Sequence, residues 1–267
     1  MRESRIQVNI EKAESALLML AENWRKNPQE LPQHKTPRNI KTGSLEHKIY
    51  LFVFTFLTPR TDAALLAQEL TQIFEQNPEL YFDVSQLLAK IATSKIPTMN
   101  KQRTHIKQAF EHIGKPQNID ELIEYPTVDS FLQDKSKRGI YTGFGPKLYS
   151  LYRMTLEETG VAIAPDDAFP VDAHIVKMLT NFGAVQIAPC GSRKTCIKTM
   201  EQALRPKICS FLKKHGLRAY ELHNPMWHLS TNKCSSCTPL FGCELQKYCA
   251  QEGSVGYWKG MLPNQRG

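Results

Sequence analysis

Gly139-Ile-Tyr-Thr-Gly-Phe-Gly-Pro-Lys147 is the stretch on which the reading of the fold depends. Gly143 and Gly145 flank Phe144, Pro146 follows, and helical spacing runs on from Leu148 to Glu158. Glycine reaches positive φ without strain and leaves its amides unscreened, while proline is well tolerated at the first position of a helix. The segment therefore reads as a tight hairpin between two helices, with the second helix directing its N-terminal amides at whatever lies before it. An anion, phosphate above all, suits that position. An ordinary helix-to-helix turn uses the same residues.

Upstream of the hairpin the pattern is helix upon helix. Ser44-Leu-Glu-His47 opens the apolar run Ile49 to Leu57, and Thr61-Asp62 precedes a second segment from Ala63 to Phe74. Helical spacing also covers Val84 to Ile91, Lys101 to Ile113 and Ile119 to Leu132, with breaks at Asn77-Pro78, Ile96-Pro97 and Gly114-Lys-Pro116. Near the N-terminus, Ile10 to Trp24 is helical in spacing, and Pro28, Pro32 and Pro37 mark a connection after it. Downstream, Gly160 to Phe169 is irregular, a helix follows Asp172 through Phe182, and Lys198 to Leu217 holds at least one more. No segment alternates with period two between hairpin turns, and no repeat of solenoid length is present. The expected fold class is all-α, in two helical lobes. One spans 44–158 and contains the helix-hairpin-helix at about 128–158; the other combines 1–43 with 159–232. A cysteine-rich loop (233–250) and a tail (251–267) complete the chain.

Composition narrows the function classes. An apolar fraction of 41% and a charged fraction of 22% are those of a globular chain, which excludes general disorder. The apolar run Ile49 to Leu57 is far short of the roughly 20 residues a membrane span needs. The N-terminal Met1-Arg-Glu-Ser-Arg5 offers no apolar signal core, so the expectation is a cytoplasmic protein, nucleoid-associated if bacterial. A net charge of +8 and a pI near 9.1 favour a polyanionic partner. Seven cysteines without a secretion signal argue against a disulfide framework, and four of them crowd into residues 234–249.

Two residues beside these features carry candidate chemistry. Lys147 falls in the first turn of the second hairpin helix, where a cation opposes the helix dipole. It is either a solvated or phosphate-binding lysine, or an amine nucleophile, a role that requires the deprotonated form. Asp172 stands in Pro170-Val-Asp-Ala-His174 just before a helix. It is either an N-cap or a carboxylate able to take a proton and steady a cation.

Taken together, Gly143-Phe-Gly-Pro-Lys147 followed by Pro170-Val-Asp-Ala-His174 resembles the helix-hairpin-helix DNA glycosylases of the HhH-GPD superfamily, the group that includes endonuclease III, MutY and 8-oxoguanine DNA glycosylase. The resemblance runs from about Ser44 through the cysteine loop, roughly three quarters of the chain. Lyase-competent members carry lysine at the position of Lys147 and aspartate at that of Asp172; MutY has serine in place of the lysine. The resemblance implies double-stranded DNA with a damaged or modified base as the partner. The base is flipped into a pocket between two lobes, Lys147 attacks C1′ to form a Schiff base, and β-elimination nicks the strand. Gly143 and Gly145 would grip a phosphate, and His174 would lie close to the DNA backbone. Lys135, Lys137 and Arg138, beside the hairpin, are the basic run expected to track phosphates, with Lys101, Arg103 and Lys107 as further candidates. A monomer is expected.

The chain also departs from the family pattern. Lys147 and Asp172 are 25 positions apart, a longer link than in the relatives, because of the segment around Ala164-Pro-Asp-Asp167. Such an insertion is cheap in closure entropy. Asp166 and Asp167 compete for the carboxylate role but stand outside the matching motif. Thr58-Pro-Arg-Thr-Asp62 falls where endonuclease III has a gap-filling glutamine; Arg60 or a neighbour is the candidate to fill the vacated base position. None of these residues selects among an oxidised pyrimidine, 8-oxoguanine, a mismatch-derived base and a bulky natural modification.

In the cysteine loop, Cys234-Ser-Ser-Cys237 is a tight pair, followed by Cys243 and Cys249 at wider gaps. Thiolates suit zinc or an iron–sulfur cluster, and one tight pair with two wide gaps wraps more naturally around a bulky cluster. The spacing of Cys234, Cys237 and Cys243 matches the last three ligands of the 4Fe–4S loop in endonuclease III and MutY. The first ligand of those proteins falls at Trp227 here, so the resemblance implies Cys249 as the fourth. Zinc is the alternative metal, and His223 and His228 are reserve ligands. Cys190, Cys196 and Cys209 read as buried thiols. Two other functions stay open: a monofunctional glycosylase in which Asp172 activates water, and a non-catalytic DNA-binding module with a metal centre.

Overall fold

Ser44 ends an extended turn and its hydroxyl accepts the His47 amide, which starts the first long buried helix of the chain. From Ile49 to Leu57 every residue of that helix is buried, the pattern of a helix packed on all sides. The structure, a computed structural model, describes residues 6–59, 61–98, 100–113, 115–138, 141, 143–187, 193–232, 234 and 245–249. In chain order the α-helices are α1 (Glu14–Lys26), α2 (Leu45–Leu57), α3 (Ala63–Gln76), α4 (Val84–Thr93), α5 (Asn100–Ile113) and α6 (Glu121–Glu124). After them come α7 (Val128–Arg138), α8 (Pro146–Glu158), α9 (Ala173–Asn181), α10 (Arg193–His215) and α11 (Ala219–Asn232). The chain is predominantly helical, and no helix among the described residues is long and apolar enough to cross a membrane.

Two helix bounds differ from the sequence reading. Ile119 to Leu132 is not one helix: α6 stops before Tyr125-Pro126 and α7 starts at Val128, because proline has no amide to donate and pushes its predecessor out of the helical region. The C-terminal helix expected within Lys198–Leu217 begins earlier, at Arg193, and continues past Pro206. Two three-residue strands accompany the helices, and the predominantly helical chain agrees with the all-α reading. β1 (Ile6–Val8) pairs antiparallel with β2 (Val185–Ile187), Ile6 opposite Ile187. Segments so short leave no readable alternation.

The chain divides into two compact units, one from Glu30 to Pro170 and the other made of the residues up to Gln29 and from Val171 onward. These limits lie outside the expected 44 and 158, for identifiable reasons. The Lys35 carbonyl accepts from the Tyr50 hydroxyl at 2.6 Å, and the Arg38 amide donates to Glu75 at 2.8 Å, so 30–43 packs with the helices that follow it. At the other end Ala164 and Ala168 are buried in the same core as α2.

In the 30–170 unit, α2 packs against α3, α5 and α8. Aromatic side chains make up much of that core. The Phe144 ring lies 5.2 Å from Phe52 and stacks on Phe56 at 5.2 Å, and Phe131 stacks on Tyr149 at 3.9 Å. Each such side chain contributes about 1.5–3 kcal/mol when fully buried. In the other unit α1 packs on α11, α11 on α9, and α10 on β1. Arg25 of α1 donates to Glu221 at 2.8 Å and to the Gly216 carbonyl at 3.2 Å, which ties the first helix to the last.

Candidate functional site

The glycine turn at Gly143 precedes α8, which packs against α7. The Phe144 amide donates to the Tyr141 carbonyl at 2.8 Å, closing the turn, and the buried Phe144 ring holds it down on the aromatic core. Gly143 has φ +87°, a conformation side chains rarely adopt. It is also hemmed in: a Cβ at Gly143 would lie 2.1 Å from Nδ1 of His105 on α5. Gly145 differs. It takes the ordinary extended conformation of an N-cap (φ −78°), and a Cβ there would meet nothing within 4 Å. The two glycines that the sequence treats alike thus have separate reasons: Gly143 is required by the turn, and Gly145 keeps the approach to the helix start open.

Pro146 opens α8 and Lys147 follows in its first turn, half-buried. The amides of any first turn have no intrahelical acceptor, and the helix dipole places partial positive charge there. The N-cap residue, Gly145, has no side chain to cap this end of α8. Lys147 therefore stands where an anionic ligand would be drawn.

Asp172 lies in the other unit and is the N-cap of α9. Its Oδ1 accepts the amides of His174 and Ile175 at 2.9 and 3.0 Å. The carboxylate is therefore held at a fixed point by its own helix, and it is half-buried. The apolar stripe read from the sequence is buried as a set: Ile175, Val176, Met178, Leu179 and Phe182. His174 is half-buried, with Nδ1 3.1 Å from the Ser230 hydroxyl and its ring edge-on to Trp227 at 6.3 Å, both on α11.

Asp167, one of the two competing carboxylates, has a structural duty. Both of its oxygens accept the Val128 amide at 2.9 Å, so it caps the start of α7. The segment that carries it is anchored a second time by Arg153, which is buried and donates to the Tyr125 carbonyl, the Tyr149 hydroxyl and the Ile163 carbonyl. Burial pushes the Tyr149 hydroxyl up in pKa, against the opposing pull of Arg153.

Of the four loop cysteines, Cys234 and Cys249 are described, both half-buried; Cys237 and Cys243 lie outside the described residues. The Cys234 amide donates to the Leu229 carbonyl at 2.9 Å, and its thiol lies 3.6 Å from the Met178 sulfur. The Cys249 amide donates to the carbonyl of buried Leu245 at 3.2 Å. Of the reserve ligands, His223 is buried within α11 and the His228 ring lies 6.3 Å from Trp24. Cys209 is half-buried, not fully buried as expected; Cys190 and the Cys196 side chain lie outside the description. Arg60 lies outside it too, and Lys135, Lys137 and Arg138 fall on the last turns of α7 with their side chains likewise undescribed. On α5, Lys107 pairs with Glu111 at 3.7 Å and Arg103 bonds Asn100.

Sequence reasoning missed His105, Arg153, Ser230 and Lys177, whose Nζ donates to the Cys234 carbonyl at 3.1 Å. Each acts across elements distant in sequence, and no local spacing signals such a contact. Compared with known proteins, the chain matches no protein-family model and no curated protein sequence.

Proposed function

We propose that the protein is a base-excision DNA glycosylase with AP lyase activity, acting as a monomer on double-stranded DNA that carries a damaged or modified base. The observation that carries this reading is the local setting of two residues. Lys147 stands at a helix start whose N-cap is a glycine, behind a glycine turn, and Asp172 is a carboxylate pinned by two amides at the start of another helix. The first setting suits an amine working beside a phosphate; the second suits a carboxylate that must not wander.

In this mechanism Asp172 accepts a proton from the Lys147 ammonium, and the neutral amine attacks C1′ of the deoxyribose. The C1′–N glycosidic bond breaks, and the base leaves with the electron pair and takes the proton held by Asp172, which becomes a carboxylate again. Asp172 steadies the positive charge that develops on the sugar. The C1′–O4′ bond then opens, O4′ is protonated, and an iminium joins C1′ to Nζ. Loss of a C2′ proton expels the 3′ phosphate oxygen, which nicks the strand, and water hydrolyses the Schiff base to return the amine. No redox step or further reactant is needed. The amides at Gly143 and Gly145 position the backbone phosphate without reading sequence.

Cys234, Cys237, Cys243 and Cys249 would hold a 4Fe–4S cluster, with zinc as the alternative. The donor set fits: four thiols, the first and last half-buried and each fixed through its own backbone amide. When bound, the centre supplies a structural clasp for the loop and takes no part in the bond changes.

The test is incubation of the protein with an abasic-site duplex and borohydride, beside Lys147→Gln. A covalent complex that forms with the wild type and is absent with the variant is expected. If an intact, DNA-binding wild type forms none, the lyase reading is wrong, and base release without strand cleavage becomes the function to seek.

A further inference from the structure

Cys234 is tied by all three of its polar groups to the two helices beside it. Its amide donates to Leu229 of α11, its carbonyl accepts from Lys177 of α9, and its sulfur lies against Met178 of α9. One turn earlier, His174 of α9 meets Ser230 and Trp227 of α11. The helix capped by Asp172 is nine residues long, too short to be stable by propensity alone. Among the described residues its polar anchorage passes through the end of α11 and Cys234, the first cysteine of the loop.

We infer that Lys177 is a positioning residue: its bond to the Cys234 carbonyl locks α9 to Cys234 beyond the end of α11, so that Cys234 holds the helix presenting Asp172. The inference rests on the glycosylase reading only for what Asp172 does. The lock itself is geometry within one unit. A charged donor bonded to a half-buried carbonyl is among the stronger single hydrogen bonds. Lys177 stands five positions after Asp172, so it fastens the middle of α9 and leaves the cap untouched. Cys234 then has a duty toward chemistry that involves no reacting atom.

The experiment uses the full chain as wild type, Lys177→Met and Lys177→Arg. Hydrogen exchange is read by mass spectrometry over residues 173–182, and single-turnover cleavage of an abasic duplex is read alongside. Loss of the bond in Lys177→Met is expected to speed exchange of the α9 amides about tenfold. The maximal cleavage rate falls at least about tenfold, with half-saturation unchanged, because Asp172 is displaced while DNA binding is kept. Lys177→Arg, which keeps a charged donor, restores both. Wild-type exchange rates in Lys177→Met would overturn the lock. Faster exchange with an unchanged cleavage rate would overturn the claim that the lock positions Asp172. A wild type that cleaves nothing would instead sink the lyase reading, while the exchange data still decide whether Lys177 holds α9.

Discussion

Gly143→Ala tests the hairpin most directly, because two costs add at one atom and each can be isolated. A side chain at φ +87° incurs the left-handed penalty of about 1–2 kcal/mol. The new methyl also lies 2.1 Å from His105 Nδ1, whereas ordinary contact begins near 3.4 Å, so ring or turn must yield by more than an ångström. Overpacking of this kind costs about 1–3 kcal/mol. The ring can swing away only by giving up its edge-on contact with Phe56. The sum is about 3 kcal/mol, or a fall in Tm of roughly 6–12 °C for a chain of this size.

The same molecule supplies the controls. Gly43 and Gly183 have φ of +80° and +72°, with nothing within 4 Å of the added Cβ. Alanine there should cost only the backbone penalty, about 1–2 kcal/mol. Gly145→Ala, at negative φ and in open space, should leave stability within about 0.5 kcal/mol while weakening binding to an abasic duplex. In a His105→Ala background the cost of Gly143→Ala should fall to that of the controls, a double-mutant cycle read by thermal unfolding. Equal costs at Gly143 and Gly43, or a Gly143→Ala cost indifferent to His105, would refute the reasoning.

Asp167→Asn should cost about 1 kcal/mol of stability through the weakened cap on α7, yet leave the borohydride trapping rate unchanged; a lost trapping signal in a folded variant would move the reactive carboxylate from Asp172 to Asp167. Burial pushes the Glu221 carboxyl up, but the Arg25 guanidinium and the Arg218 amide outweigh it and hold the group below the usual carboxylate range. Its stabilisation is therefore present above the unfolded value near 4.3 and is lost as pH falls through the lower folded value, so Glu221→Gln should cost about 1–2 kcal/mol at pH 7 and progressively less as the pH is lowered below the unfolded value, by urea unfolding. Cys249→Ser should lower the bound metal measured by elemental analysis, whereas Cys209→Ser should leave it unchanged.

The helical class was legible because long apolar runs between Pro and Gly breaks admit few other readings, and Ser44, Asp62 and Asp172 announce their helices as caps. Gly143, Gly145, Lys147 and Asp172 were legible as candidates because a turn and a cap are local chemistry. What holds them was not. His105 is 38 positions before the glycine it abuts, and Asp167 is 39 after the amide it caps. The β1–β2 pair joins residues about 180 apart through six residues in all. Only the folded chain brings such partners together, and a histidine in a polar helix carries no mark of which glycine it will meet.

The segment between Lys147 and Asp172 shows how such partners change a functional argument. Read as an insertion, residues 160–170 are slack whose closure costs little and whose place is undefined. In the structure they are fixed at both ends and in the middle: Val161 donates to Leu156 at 2.8 Å, Arg153 grips the Ile163 carbonyl, Asp167 caps α7, and Ala164 and Ala168 are buried. Burying a guanidinium costs several kcal/mol unless its donors are satisfied. Here the two terminal nitrogens donate to two backbone carbonyls and a tyrosine hydroxyl, with the Tyr149 ring 5.8 Å away, while Nε has no hydrogen-bond partner among the described residues. A chain does not commit a buried charge to a loop whose conformation is indifferent. The main chain is held inward while the Ile163 side chain stands 79% exposed, so the surface this segment offers is a set shape. The added length is thus part of the 30–170 unit's architecture, and on the glycosylase reading proposed above any effect it has on base choice must come through that shape.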